Sequence, residues 1–353
     1  MANATQWPEG ANASLPGDLE PCVPRWSPAS RLALYTLLLA CIGSTVLGNL
    51  LVVLAIVYFR RLRSATNTFI MSLAVADLMV GLVVMPCSAV RTVDGCWYFG
   101  PALCRLHSSL DVMLCSASIF HLSCIAFDRY HAVCHPLLYS SRMSRGRVVT
   151  LLLLCWAVPL LISFGPITLR LHEVAVDPLL PRDSCLFLVN PTYAVVASLV
   201  AFYLPMTSML VAYWKIYRVA RRQAMQISAL ENQVSAQGVG AGKHQRASMR
   251  RERKAANTLG IIMGVFLLFW LPFFTTNIID PFIEYRTAGL VWDIFLWLGY
   301  ANSSLNPFLY GFFNRSFRRA FVMILSCQIC LPGLPPGMDL SLQQGRSHEQ
   351  PVD

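Results

Sequence analysis

The sequence predicts an all-α membrane protein: a bundle of seven transmembrane helices followed by a short helix on the cytoplasmic membrane surface. Three observations support this fold class. Hydrophobic residues make up 56% of the 353 residues and charged residues only 13%, which is typical of multi-span membrane proteins rather than soluble enzymes. Seven apolar segments are long enough to cross a bilayer as helices. Lysine and arginine also collect on alternate connections between these segments, as they do in membrane proteins.

The seven segments and their connections account for nearly the whole chain. They lie near residues 32–58, 67–90, 103–132, 147–168, 191–217, 256–279 and 288–312. Residues 1–31 are predicted to form an extracellular N-terminus, and residues 32–312 the seven-helix domain, with a flexible cytoplasmic loop at about 222–249. Residues 313–326 are predicted to form the amphipathic surface helix and residues 327–353 a disordered tail.

Prolines mark the last four segments. Pro159, Pro205, Pro272 and Pro307 lie deep inside them, where each removes a backbone hydrogen bond and kinks its helix. Kinked helices around a polar centre suit a bundle that has two alternative packings.

The basic residues set the predicted orientation. They cluster on one side of the bundle, at Arg60, Arg61, Arg63, Arg142, Arg145, Arg147, between Arg218 and Lys254, and at Arg315, Arg318 and Arg319. This side is predicted to be cytoplasmic, which places the N-terminus outside, at the plasma membrane surface. The glycosylation sequons at Asn3 and Asn12 agree with that orientation. The net charge of +10 is therefore a topology signal and gives no reason to expect nucleic-acid binding.

Most of the twelve cysteines lie in apolar segments and are expected to be small buried residues. Cys104 and Cys185 both face the oxidising side, so we expect a disulfide between them. Cys22 and Cys96 are also extracellular, and they either pair or remain two free thiols. Cys327 and Cys330 follow the amphipathic segment and are candidates for palmitoylation, although they also fit bystander cysteines.

Asp111 is the most informative residue in the sequence. It lies inside the third apolar segment, where a charge costs at least about 2.5 kcal/mol and must face a cavity or a partner. That segment offers no basic partner for Asp111, so the predicted partner is a cationic ligand.

Other polar residues inside the membrane are predicted to face inward and meet one another. Asp77, Ser118, Asn302, Ser303 and Asn306 supply oxygen atoms that suit a small hard cation such as Na⁺. A hydrogen-bonded network between helices, without an ion, fits the same residues equally well.

Motifs in every segment resemble those of the rhodopsin-like G protein-coupled receptors. The resemblance covers about residues 32–325 and requires neither a cofactor nor a bound metal, apart from the sodium alternative. The matching motifs, in chain order, are Gly48-Asn49, Leu73-Ala74-Val75-Ala76-Asp77, Asp128-Arg129-Tyr130, Trp156, Pro205 with Tyr213, Phe269-Trp270-Leu271-Pro272, and Asn306-Pro307-Phe308-Leu309-Tyr310.

Asp111, Phe273, Phe274 and Tyr300 are similar to the ammonium anchor and aromatic surround of the biogenic-amine branch. The resemblance implies a ligand site formed by Asp111, Val112, Cys115, Ser198, Trp270, Phe273, Phe274, Asn277, Asp293, Trp297 and Tyr300.

Two branches of amine receptors share motifs with this chain. The trace amine-associated receptors resemble it at Cys96-Trp97-Tyr98-Phe99-Gly100. Serotonin receptors of the type-4 kind resemble it at Thr276-Asn277-Ile278-Ile279-Asp280-Pro281-Phe282-Ile283. We favour the trace-amine branch and keep the serotonin alternative. An olfactory role fits the first, and a neural or peripheral role the second.

Three further sets of residues bear on the identity of the ligand. Asp293 lies seven residues before Tyr300 on the same helix face, about 10 Å farther out, where it either binds the second ammonium of a diamine or polyamine or only complements the helix dipole. Ser198 has alanines at 197 and 201, so the serine set expected for a catechol is missing. Asp94, Asp280 and Glu284 are expected to concentrate cations near the mouth.

The resemblance implies a cytoplasmic switch and a signalling partner. At rest Arg129 would pair with Asp128 and with Glu252, although Glu252 also fits a solvated helix end; on activation Tyr213 and Tyr310 would help to hold Arg129. The implied partners are a stimulatory G protein acting through cyclic AMP, an arrestin and a receptor kinase.

Three other classes of protein are disfavoured. The chain has no repeated half and no paired broken helices, which a transporter would show. The seventh segment has no lysine for a retinal Schiff base. His121 and His131 lack a catalytic or metal-ligand partner at suitable spacing, so an enzyme is not predicted.

Overall fold

The computed structural model describes residues 26–174, 185, 187–236 and 264–326. Eight helices longer than ten residues, together with a few short helical turns, are seen in these ranges, with no β-strand among the described residues. We label them α1 Pro28–Tyr58, α2 Ala65–Asp94, α3 Gly100–Cys134, α4 Arg145–Thr168, α5 from Pro191 to Ala236, α6 Gly264–Ile283, α7 Gly289–Phe313 and α8 Arg315–Leu325.

The first six of these helices are long and apolar enough to cross a membrane. Helix α7 has 25 residues, about 37 Å of helix, but its inward face is polar because Asn302, Ser303, Ser304 and Asn306 are all buried. A polar inner face lowers the mean hydropathy of a span without shortening it. Together the helices form the predicted seven-helix bundle.

Capping residues begin several helices where the sequence supplies a side-chain acceptor. Ser27 accepts a hydrogen bond from the Ser30 amide, and Ser64 accepts one from the Asn67 amide. Asn190 does the same for Tyr193, with Pro191 at the first helical position, where its missing N–H costs nothing.

Two helices contain a wider π-helical turn next to a proline. In α5 this turn spans Leu199–Tyr203, just before Pro205, and in α2 it spans Val80–Val84, just before Pro86. Proline cannot donate to the preceding turn and its ring collides with the carbonyl there, so widening the turn relieves the conflict. The sequence indicated the distortion at Pro205 but not the one at Pro86.

Helix α5 extends into the segment predicted to be a flexible loop. It continues to Ala236, whereas the loop was expected from about residue 222. The stretch 222–236 has no glycine or proline and contains three alanines and three glutamines, which favour a helix. The rest of that segment lies outside the described residues.

Helix α3 is central to the bundle and packs against α2, α4 and α5. Its buried face includes the polar residues Ser118, His121 and Asp128, each at most 1% exposed. Large apolar side chains such as Leu32, Leu47 and Leu161 point outward instead. This distribution suits a helix bundle that is surrounded by lipid and has polar contacts in its interior.

Helix α8 confirms the predicted surface helix and begins at Arg315. Phe317, Ala320 and Met323 are buried against a cluster at the inner end of α1, whereas Arg318 and Arg319 are exposed. An apolar face on one side and arginines on the other suit a helix lying along the membrane interface.

Candidate functional site

Asp111 lies on α3 at the centre of a short chain of hydrogen bonds. The Tyr300 hydroxyl of α7 donates to Asp111 Oδ2 at 2.7 Å, and Ser88 Oγ of α2 lies 3.0 Å from the Tyr300 hydroxyl oxygen. The Cys115 thiol donates to Asp111 Oδ1 at 3.3 Å. These partners are uncharged, so they orient the carboxylate without neutralising it. Ser88 was not among the predicted site residues.

The carboxylate of Asp111 faces a cavity of about 270 Å³ between the helices, which we call the ligand cavity. Its lining includes nine predicted site residues: Asp111, Val112, Cys115, Ser198, Trp270, Phe273, Phe274, Asn277 and Asp293. Tyr300 and Trp297 are not in the lining. Tyr300 is fully buried behind Asp111, and Trp297 packs edge-on against its ring and donates to Thr92 Oγ1 at 3.1 Å. In this structure they support Asp111 and Thr92 from behind the cavity, and their predicted contact with the ligand stays a prediction.

Aromatic rings from α5, α6 and α7 form one wall of the ligand cavity. Phe274 stacks on Phe202 with 4.6 Å between ring centroids, and Phe273 meets Trp270 and Trp292 edge-on at 6.0 and 5.6 Å. Ring faces attract a cation that is already held near a carboxylate. The wall therefore complements Asp111 as a site for a small organic cation.

The lining also contains residues that the sequence did not predict. They include Arg91 from α2, Phe187 and Leu188 from the loop before α5, and Trp292 from α7. The disulfide between Cys104 and Cys185 is present and ties that loop to α3. Phe187 and Leu188 follow Cys185 closely, so the predicted disulfide was a signal that could have placed them over the cavity.

Ser198 is buried and already accepts a hydrogen bond from the side-chain amide of Asn277 at 3.0 Å. Alanines 197 and 201, which flank it on α5, line the same wall. The polar feature on this wall is therefore a serine–asparagine pair rather than a row of hydroxyls, in agreement with the sequence argument against a catechol.

One acidic residue near the cavity differs from its predicted role. Asp94 is buried and forms a salt bridge with Arg31 at 2.6 Å, and buried Asp280 accepts from the Trp292 indole at 3.1 Å and from the Thr287 amide. The charge of Asp94 is neutralised by Arg31, which corrects the expectation that it attracts cations, whereas the partners of Asp280 are uncharged and the expectation for it stays a prediction. Asp293 accepts a hydrogen bond from Thr92 at 3.2 Å.

Asp77 joins α2 to α7 deeper in the bundle. Ser303 Oγ and Asn306 Nδ2 each donate to one of its carboxylate oxygens at 2.7 Å. The Asn302 amide nitrogen is buried without a protein partner among the described residues, and the Ser118 hydroxyl interacts with the Asp77 carboxylate. A hydroxyl oxygen beside a carboxylate fits a Na⁺ ligand set as well as a simple network, so the sodium alternative stays a prediction.

At the end of the bundle away from the ligand cavity, Asp128 accepts hydrogen bonds from three elements. Arg129 donates to its carboxylate at 2.6 Å, Thr66 of α2 at 2.5 Å and Tyr139 of the following loop at 2.7 Å. Burial, followed by the hydrogen bond to Asp128, raises the pKa of Tyr139 above its usual value, so the hydroxyl stays protonated and donates. Glu252, the other predicted partner of Arg129, lies outside the described residues.

Two other residues of the predicted switch make contacts of their own. The Tyr130 hydroxyl lies 3.2 Å from His135 Nε2, and the Tyr310 ring packs near Phe317 at 5.8 Å. Tyr213 is half-buried in α5.

Of the other predicted modification sites, Cys96 is disulfide-bonded. Cys22, Asn3, Asn12, Cys327 and Cys330 lie outside the described residues, so the predictions for them stand untested.

Gly299 allows α7 to approach the Trp270 ring closely. A Cβ atom at this position would lie 2.7 Å from Trp270 Cζ3 and 2.8 Å from its Cη2. We expect Gly299→Ala to displace the ring and to lower the stability of the purified protein by about 1–3 kcal/mol, measured by thermal unfolding in detergent. Gly43→Ala on α1, whose added Cβ meets nothing within 4 Å, is the matched control and should be neutral. Equal stability of the two variants would contradict the tight packing.

Seven spanning helices, an acid-anchored cavity between them and an ion pair at the opposite end define a seven-helix membrane receptor. The chain belongs to the family described as 7 transmembrane receptor (rhodopsin family), which matches residues 48–310. It is 47% identical to 5-hydroxytryptamine receptor 4 of Cavia porcellus over 84% of this chain and 80% of that protein. It is 41% identical to trace amine-associated receptor 1 of Mus musculus over 85% and 90%, and 40% identical to trace amine-associated receptor 4 of the same species over 83% and 85%. The chain is therefore a receptor of the aminergic kind and not an enzyme.

Proposed function

We propose that this receptor binds a protonated extracellular amine at Asp111 and activates a stimulatory G protein, which raises cyclic AMP. One observation carries the proposal. Asp111 presents a carboxylate to an aromatic-walled cavity, and its hydrogen-bond partners, Tyr300 and Cys115, leave its charge uncompensated. An ammonium group is the complementary ligand because a charge-assisted hydrogen bond and the ring faces both stabilise it.

Activation follows as a shift between two packings of the bundle. The amine contacts Asp111 on α3 and the rings of Trp270 and Phe273 on α6, so it links the two helices at the ligand cavity. It stabilises the packing in which the inner end of α6 moves outward and Arg129 leaves Asp128. Tyr213 and Tyr310 then hold Arg129, and the opened cytoplasmic face receives the G protein.

Two ligand classes remain for this site. The serotonin alternative is favoured by the buried Ser198–Asn277 pair, which offers hydrogen bonds to a ring hydroxyl or an indole nitrogen. The names of the similar proteins refer to serotonin and to trace amines, and we favour a trace amine. The proposed setting is the plasma membrane with the N-terminus outside, and an arrestin and a receptor kinase are proposed as further partners.

A cyclic AMP dose–response in cells expressing the chain tests the proposal. The panel contains serotonin, phenylethylamine-type monoamines and diamines of increasing length. At least one amine should raise cyclic AMP over untransfected cells, and the most potent class identifies the ligand type. Failure of every amine to raise cyclic AMP, with the receptor counted at the cell surface, would contradict the proposal.

A further inference from the structure

The guanidinium of Arg91 lines the same cavity as Asp111, although an arginine should repel a cationic ligand. Arg91 is half-buried near the outer end of α2. Its hydrogen bond goes to the carbonyl oxygen of Cys185, at a long 3.5 Å. No carboxylate among the described residues lies within salt-bridge distance of it, whereas Arg31, Arg129, Arg170 and Arg286 each have one.

The position of Arg91 relative to Asp111 follows from their shared neighbours. Ser88, one turn below Arg91 on α2, lies 3.0 Å from the Tyr300 hydroxyl, which is itself 2.7 Å from Asp111. Arg91 is three residues farther out, or about 5 Å along the helix. The carbonyl that it contacts belongs to Cys185, which is bonded to Cys104, two turns or about 10 Å outward of Asp111. The two charges are therefore separated along the cavity by roughly 5–10 Å.

We propose that the ligand is a zwitterion whose ammonium binds Asp111 and whose carboxylate binds Arg91. This inference rests on the proposed function and specifies its ligand class. A guanidinium presents paired N–H groups that match a planar carboxylate, so Arg91 favours this anion. Each ion pair itself takes up about 3 Å, so this gap leaves at most about 4 Å between the ammonium and the carboxylate of the ligand. That spacing suits an α- or β-amino acid, whereas an amine with its carboxylate at the far end of the molecule is too long.

Arg91 also argues against a diamine as the ligand. A diamine that reaches Asp293 places its second ammonium in the cavity lined by Arg91, and like charges at short range oppose binding. Asp293 also already accepts a hydrogen bond from Thr92. An arginine in an amine site thus selects against a second positive charge and for a negative one.

The test uses phenylethylamine and three derivatives of it, substituted on the carbon that bears the ring with a carboxylate, a carboxamide or an aminomethyl group. The carboxamide matches the carboxylate in shape but is neutral, and the aminomethyl compound is the diamine. Thermal stabilisation of the purified receptor measures binding, and cyclic AMP in cells measures activation. In the wild type the carboxylate should bind about tenfold to a hundredfold more tightly than the carboxamide.

Variants at Arg91 then test whether this residue causes the preference for the carboxylate over the carboxamide. Arg91→Gln should bring the ratio of carboxylate to carboxamide affinity close to one, and Arg91→Glu should favour the diamine over the carboxylate. Arg105→Gln is the matched control, because Arg105 is an exposed extracellular-end residue of α3 that does not line the cavity; it should keep the wild-type ratio.

The possible outcomes separate the two proposals. If phenylethylamine binds but the carboxylate is no better than the carboxamide, the zwitterion inference is wrong and the amine site stands. An unchanged ratio in Arg91→Gln also overturns the inference. If none of the four compounds stabilises the purified receptor, the zwitterion inference is wrong, and the cyclic AMP panel decides the proposed function separately.

Discussion

Asp111→Asn is expected to abolish amine activation while leaving the receptor at the cell surface. The substitution keeps the size of the side chain and a hydrogen-bond acceptor for the Tyr300 hydroxyl, but it removes the charge that the ammonium needs. Losing one partner of a buried, hydrogen-bonded charge pair costs about 2–5 kcal/mol, which is a loss of potency of about thirtyfold to several thousandfold. The measurement is an amine dose–response normalised to the number of receptors at the surface.

Glu284→Gln is a suitable control for this prediction. It removes one extracellular negative charge from an exposed pair with Arg286, outside the ligand cavity, so it should shift potency little. Retained potency in Asp111→Asn, or equal losses in the two variants, would remove Asp111 as the anchor.

Asp293→Asn tests the diamine alternative in the same assay. A larger loss of potency for a diamine than for a monoamine of equal length would favour recognition of the ligand by both Asp111 and Asp293.

Asp128→Asn is expected to raise signalling in the absence of ligand. The Asp128 side chain is fully buried and holds Arg129, Thr66 and Tyr139 together, and a neutral amide cannot bind these donors as strongly. A bias of about 2 kcal/mol against the resting packing multiplies the ratio of active to resting receptors by about thirty. Ligand-independent cyclic AMP, compared at equal surface expression, measures the change.

Tyr139→Phe provides a graded version of the same experiment. It removes one hydrogen bond to Asp128 but leaves the ion pair with Arg129, so the rise in ligand-independent signalling should be smaller and in the same direction. Tyr217→Phe, at an exposed tyrosine near the middle of α5, should change nothing. Ligand-independent signalling of Asp128→Asn at or below the wild-type level would show that this network does not restrain the resting state.

The sequence predicted the parts of the site that are marked within single helices. Apolar length located the spanning segments, and an acid in hydrocarbon identified Asp111 without reference to its neighbours. The ion pair of Asp128 with Arg129 was implied by the family resemblance. For Asp111 the energetic penalty of an isolated charge in a membrane is visible from one segment alone.

Contacts between helices were much harder to predict. Thr66 meets Asp128, and Ser88 meets Tyr300, through pairings that depend on the rotation of α2 relative to its neighbours. Asp94 was expected to attract cations but is paired with Arg31, which is 63 residues away in sequence. Arg91 was missed because a single arginine near a helix end normally reads as a solvated residue, and only its position in the fold places it in the cavity.

The most direct test of the account is whether the charge on the ligand and the charge on Asp111 depend on each other. Thermal stabilisation of the purified wild-type receptor is measured with phenylethylamine and with phenylethanol, which differ in the ammonium group, and then repeated with Asp111→Asn. We predict that the amine stabilises the wild type more than the alcohol does and that this advantage disappears in the variant. Equal stabilisation by the two compounds, or an amine advantage that survives in Asp111→Asn, would contradict recognition of an ammonium by Asp111.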